Sequence, residues 1–175
     1  PFIILEAGRQ PGNSWATMPT RMRLLTPWCY NRLPGSYDLR VPRFAYVDRA
    51  RFVSYLNDYA SFHSLPLETE CRVKGVRLTD QGFELQTSQG DVRCKTLVNA
   101  TGYFANPFQP RYPGDESSRI LRLHASEYAD PENLRERLGL ERPRVLVVGQ
   151  RLSAGQLLVE LQDGGAHVTL SARSP

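Results

Sequence analysis

The stretch Arg144 to Arg173 constrains this chain most, because its apolar pattern changes period twice within one short segment. Residues 145–148 are a continuous apolar run rich in valine, the pattern expected of a parallel strand buried on both faces. Gly149 breaks the run. From Ser153 onward, apolar residues recur at Leu157, Leu158 and Leu161 with helical spacing, and Gly164-Gly165 ends the helix before a second strand over 167–170. This predicts a strand–turn–helix–strand unit of about 30 residues.

The turn has chemistry of its own. Backbone N–H groups at a helix start face anions, and glycines let the main chain approach a pyrophosphate closely. The pattern G-x-G-x-x-G/A is met here by Gly149-Gln150-Arg151-Leu152-Ser153-Ala154, with Arg151 where the second glycine belongs. About 20 residues after such a turn, an acid selects NAD and an arginine accommodates the 2′-phosphate of NADP; here the residue is Arg173. A nucleotide-binding unit and a plain packing unit are both open on these residues.

Composition narrows the function classes. With 175 residues, 41% hydrophobic and 23% charged, the chain is globular in type. No apolar run approaches the ~20 residues of a membrane span. The net charge of +4 comes from scattered arginines, which disfavours a nucleic-acid partner. Cys29, Cys71 and Cys94 are far apart and lack C-x-x-C spacing, which argues against a disulfide framework, a zinc site and a redox dithiol. Cysteine usage of this kind suits a reducing compartment and gives the expectation of a cytoplasmic protein. Pro1 is expected to enter a strand directly, without a signal or transit segment.

Earlier in the chain, residues 2–5 form another apolar run that ends at Glu6-Ala7-Gly8. An acid closing a buried strand is where a dinucleotide fold holds ribose hydroxyls, although one acid is also an ordinary strand terminus. Pro11-Gly12-Asn13-Ser14-Trp15 is turn chemistry followed by an aromatic, and the segment on to Pro42 predicts ordered loops with short helical turns. Trp15, Trp28 and Tyr30 there could wall a flat ring or serve as packing. Residues 49–62 predict an amphipathic helix capped by Asp48, with Phe52, Val53, Leu56, Tyr59 and Ala60 on one face. Residues 70–78, 83–87 and 92–98 predict an antiparallel meander, whose last strand is apolar enough over 96–99 to enter a buried sheet. It delivers Ala100-Thr101-Gly102-Tyr103, small residues that permit close approach to a ligand. Residues 106–142 read as a connector, with a short helix over 131–138.

Taken together, ILEAGRQPGNSW, VSYLNDYA, LVNATGYFANPFQPRYPG, HASEY and RVLVVGQRLSAGQ occur in the order that resembles flavin-containing monooxygenase-like flavoproteins, across nearly the whole chain. The resemblance implies an α/β fold. It would comprise a partial FAD domain with an antiparallel meander over 1–105, a connector over 106–142, and the start of a Rossmann-like NADPH-binding βαβ domain over 143–175. It further implies that Glu6 holds the FAD ribose, that the Gly12–Trp15 turn lies near the flavin, and that Val73 presents its backbone to the adenine. Ala100, Thr101, Gly102 and Tyr103 would pass the FAD. Gly149, Ser153 and Ala154 would line the NADPH pyrophosphate, and Arg173 would meet its 2′-phosphate. His124 and Tyr128 match the H-x-x-x-Y end of the family's identifying sequence, whereas Ser118 and Ile120 replace its F-x-G beginning.

Such enzymes pass hydride from NADPH to the flavin and use oxygen to oxidise a small soft nucleophile or carbonyl compound. The cofactors carry the chemistry, so no catalytic side chain is named. The first FAD glycine turn is absent, which reads as a fragment of a flavoprotein about twice as long. Two other readings are a non-catalytic remnant serving as a binding module and, less favoured without C-x-x-C, a disulfide reductase built on the same plan.

Overall fold

The computed structural model describes residues 1–35, 41–102, 106–111, 113 and 120–173. They form two compact units: Pro1–Thr17 with Leu24–Ala105, and Met18–Arg23 with Asn106–Pro175.

The first unit is organised on a helix. Its elements are β1 (Ile4–Leu5), α1 (Asn13–Ala16), a 3-10 turn at Trp28–Tyr30 and α2 (Arg49–Phe62), followed by β2 (Leu67–Glu68), β3 (Val73–Thr79), β4 (Gly82–Thr87) and β5 (Gly90–Cys94). The helix α2 starts where the sequence predicts. Asp48 is extended, and its carboxylate accepts from the Arg51 N–H at 2.8 Å, satisfying a donor that the helix leaves free. Phe52 and Tyr55 are the buried residues of α2, and with Leu24, Trp28 and Val47 they make this unit's core. Tyr55, absent from the face predicted for the helix, is its centre at 1% exposed. Burial of a phenol requires a partner for its oxygen, and the Tyr55 hydroxyl accepts from the Leu33 N–H at 2.6 Å.

Three strand expectations change. The strand predicted over 70–78 starts late: Glu70 turns the chain at φ +56° and β3 begins only at Val73, while residues 67–68, ahead of the predicted run, form β2 and pair in parallel with β1. Ladder pairing across more than sixty residues, Ile4 with Leu67 and Leu5 with Glu68, decides this, and no local pattern encodes it. The strand predicted over 92–98 ends at Cys94. Residues 96–99 find no ladder partner among the described residues, and Val98 is 81% exposed. The meander itself is present as β3-β4-β5, closed by two hairpins of the same design. Thr79 and Thr87 each donate their hydroxyl to the carbonyl of the glycine three residues on and accept the N–H two residues on.

The second unit contains a 3-10 turn at Ala125–Glu127, α3 (Pro131–Leu138), β6 (Arg144–Val148), α4 (Leu152–Asp163) and β7 (His167–Ser171). β6 and β7 pair in parallel, from Arg144 with His167 to Val148 with Ser171, giving the predicted βαβ unit. The expectation of a strand buried on both faces is corrected. Val147 is buried and Val145 half-buried, while Leu146 and Val148 on the alternate face are 61% and 58% exposed. The cause is that α4 packs on one side of this sheet and no described element of the unit covers the other. Residues 106–142, read from sequence as a connector, carry α3 and put Tyr128 and Leu134 into the same core as Val147, Ala154 and Leu161. Met18–Arg23 also joins this unit. The Thr20 N–H donates to the Ala129 carbonyl at 2.7 Å, Arg21 pairs with Glu132 at 2.6 Å, and Gln156 donates to the Arg23 carbonyl at 3.2 Å.

Candidate functional site

At the end of β1 the chain continues its parallel pairing through Glu6. Its N–H donates to the Glu68 carbonyl and its carbonyl accepts from the Cys71 N–H, both at 2.9 Å. The side chain is therefore fixed at its root. Its Oε1 accepts from the Gly8 N–H at 2.6 Å, and no described residue donates to the second oxygen. Gly8 was not singled out from sequence, although the spacing Glu6-x-Gly8 was the available signal. A Cβ on Gly8 would lie 2.0 Å from Asn13 Cγ, so only glycine lets the β1 end meet the α1 turn.

Gly12 caps α1 at φ +70°, and a Cβ there would meet Leu56 Cδ1 at 2.6 Å. Trp15 stands edge-on to Phe52, with ring centroids 4.9 Å apart. Both predicted site residues are thereby held against α2. Trp28 is core and Tyr30 is 77% exposed, so these two do not form a ring-binding wall with Trp15. Val73 opens β3 opposite Thr87, two residues after the Cys71 whose N–H bonds the Glu6 carbonyl; β3 lies in a different sheet from the β1–β2 pair that Glu6 follows. Ala100, Thr101 and Gly102 are exposed. Asn99 Oδ1 accepts from both the N–H and hydroxyl of Thr101, and Gly102 adopts φ +70°. No hydrogen bond joins them to Glu6 among the described residues. Tyr103 lies outside the described residues.

In the second unit, parallel pairing sends Gly149 and Arg173 away from the same C-terminal edge of the sheet, the edge where open parallel sheets bind ligands. Gly149 has φ +130°, and its N–H donates to the Ser171 carbonyl at 2.9 Å. Arg151 is the N-cap of α4, its carbonyl accepting from the Gly155 N–H at 3.1 Å. No side chain caps the first turn of α4, and that turn carries no acid. Ser153 is exposed there. Ala154 instead turns its methyl into the core, so its part is close helix–strand packing. Arg173 is exposed two residues beyond β7 and makes no hydrogen bond or ion pair with any described residue.

Both residues of the H-x-x-x-Y pair have partners within this unit. His124 Nδ1 accepts from the Ser126 N–H at 3.2 Å, while Glu127 accepts from the His124 N–H at 2.6 Å, a reciprocal cap of the 3-10 turn. Tyr128 is buried in the core. The three cysteines are free, with Cys71 buried. Among the described residues no His/Cys/Asp/Glu cluster is placed to hold a metal, and no helix is long and apolar enough to cross a membrane.

Comparison with known proteins bears on the family and the fold. An oxidoreductase of Geobacillus kaustophilus (strain HTA426), described as CzcO-like, is 30% identical over 162 residues, covering 93% of this chain and 44% of that protein. Dimethylaniline monooxygenase (N-oxide-forming) 4 of Homo sapiens is 29% identical over 159 residues, covering 83% of this chain and 27% of that protein. The solved structure of a flavin-containing monooxygenase from Stenotrophomonas maltophilia superposes with a TM-score of 0.86 at 25% identity, covering 99% of this chain and 50% of that one. The chain thus spans about half the length, or less, of the relatives it matches, and the flavin-monooxygenase resemblance and the Rossmann-type α/β fold hold. The family model described as pyridine nucleotide-disulphide oxidoreductase matches residues 1–175, and the chain belongs to that family.

Proposed function

We propose that this chain is the nucleotide-binding part of an FAD-dependent monooxygenase that uses NADPH and acts on a small molecule. The observation that carries the reading is the shared C-terminal edge of β6 and β7. There Gly149, an uncapped helix start and the exposed Arg173 offer an anion site without a competing acid. The groups fit a phosphorylated dinucleotide: Gly149 allows the turn, the N–H groups around Ser153 face the pyrophosphate, Ala154 lets α4 sit close to β6, and Arg173 meets the 2′-phosphate.

Glu6 fits the FAD ribose for a comparable reason. One carboxylate oxygen is engaged by Gly8 and the other is left to accept hydroxyl donors. Val73 comes two residues after Cys71, whose N–H bonds the Glu6 carbonyl, and would offer its backbone to the adenine. Gly12 and Trp15 form the rigid turn beside the flavin, and the small residues Ala100, Thr101 and Gly102, with Tyr103, would let the chain pass the cofactor closely. When bound, FAD and NADPH supply hydride transfer and oxygen activation for oxidation of a soft nucleophile or carbonyl compound. The protein's own residues bind and orient these groups.

The test uses the full-length protein that carries this chain. Flavin content is measured after purification and after addition of FAD, followed by substrate-dependent NADPH oxidation under isotopically labelled dioxygen. Label in the product is the expected result. No flavin uptake, or NADPH oxidation that reduces a disulfide without consuming oxygen, would overturn the proposal.

A further inference from the structure

Arg151 stands where a dinucleotide turn usually has its second glycine, and the fold does not demand a glycine there. Its φ of −88° and ψ of −178° are ordinary extended backbone, open to any residue. It is the N-cap of a twelve-residue helix, a position that favours short side chains able to bond the first-turn N–H groups. Arginine lacks an acceptor and cannot do so, and no side-chain cap is present. The guanidinium is exposed and has no hydrogen bond or ion pair with any described residue. It leaves the same sheet edge as Gly149, beside a first turn without acids. A cation at a helix start opposes the helix dipole, so the residue costs the isolated fold stability that an anion would return.

We propose that Arg151 is a phosphate-binding residue of the nucleotide site, its guanidinium contacting the pyrophosphate that a glycine at this position would leave to backbone amides alone. The inference rests on the proposed nucleotide site and deepens it. Arg151 and Arg173 then divide the ligand: Arg151 serves the pyrophosphate common to NAD and NADP, and Arg173 the 2′-phosphate that only NADP carries. Arginine suits the first task because its planar fork pairs with two phosphate oxygens at once.

The test is calorimetric titration of the flavin-loaded full-length protein with NADP⁺ and with NAD⁺, before and after Arg151→Gly and Arg151→Gln. Flavin content and thermal stability report that each variant is folded. Both variants are expected to weaken NADP⁺ and NAD⁺ by the same factor, about tenfold, and to flatten the salt dependence of binding. Arg173→Ala is expected to weaken NADP⁺ alone. Equal or tighter binding by Arg151→Gly would overturn the inference by making the side chain an obstruction. A loss confined to NADP⁺ would overturn the pyrophosphate assignment. Failure of the unaltered protein to bind either nucleotide would overturn the nucleotide site itself, a result distinguishable from both.

Discussion

The Tyr128 hydroxyl donates to Glu160 Oε1 at 3.5 Å, tying the segment before α3 to the middle of α4. Burial is the main cause raising the Glu160 pKa above the usual carboxylate value; the nearby Arg21 and the Tyr128 hydrogen bond oppose it, and Asp130 and Glu132 add to it. Burial, then the Glu160 charge, pushes the Tyr128 phenol up as well. A carboxyl whose folded pKa is raised holds its proton more tightly in the folded state. Its contribution to stability is full below the unfolded carboxylate pKa, about 4.3, and is lost as pH rises through the folded value. Glu160→Gln keeps an acceptor for Tyr128 and cannot ionise. Thermal unfolding across pH should therefore give a flatter curve for Glu160→Gln, with stability at pH 7 no lower than that of the unaltered protein. Two parallel curves would show that Glu160 does not carry this dependence.

Gly149→Ala tests backbone conformation at the nucleotide turn. An added Cβ would find only Ala154 Cβ at 3.9 Å, an ordinary contact, so crowding is not the issue. The cost comes from φ +130°, which L residues rarely adopt. Denaturant unfolding should show a loss of about 1–3 kcal/mol. A loss below about 0.5 kcal/mol would mean that the turn relaxes freely.

Gly12→Ala differs, because conformation and contact both oppose it. Its φ is +70° and the new Cβ would meet Leu56 Cδ1 at 2.6 Å. Leu56→Ala removes the contact and leaves the dihedral. In a double-mutant cycle, the penalty of Gly12→Ala should shrink in the Leu56→Ala background to the about 1–2 kcal/mol of a left-handed alanine. Additive penalties would show that Leu56 moves aside without cost.

These positions show which parts of the protein could be read from sequence. The βαβ unit was legible because its strand, glycine turn and helix are each encoded within a few residues, and α2 because Asp48 and the apolar stripe act locally. The positions of Gly149 and Arg173 at its C-terminal edge follow from that unit. The β1–β2 pairing was not legible, since two-residue ladders are decided by contacts between distant segments. The same holds for Met18–Arg23, whose partners Ala129, Glu132 and Gln156 lie more than a hundred residues away. In the sequence Arg151 is a departure from a glycine pattern, whereas its ordinary backbone angles are visible only in the fold.

Glu6 offers a separation of structural and binding roles within one side chain. Glu6→Gln retains an oxygen that can accept from Gly8 N–H, but offers the ribose an amide in place of a charged acceptor. Glu6→Ala removes both functions and leaves the Gly8 N–H without its partner. Stability should therefore fall for Glu6→Ala by about 1–2 kcal/mol and change little for Glu6→Gln. FAD retention in the full-length protein should fall in both variants. If Glu6→Gln kept flavin as firmly as the unaltered protein, the carboxylate would serve the Gly8 turn alone, and the ribose would have to be held by another residue.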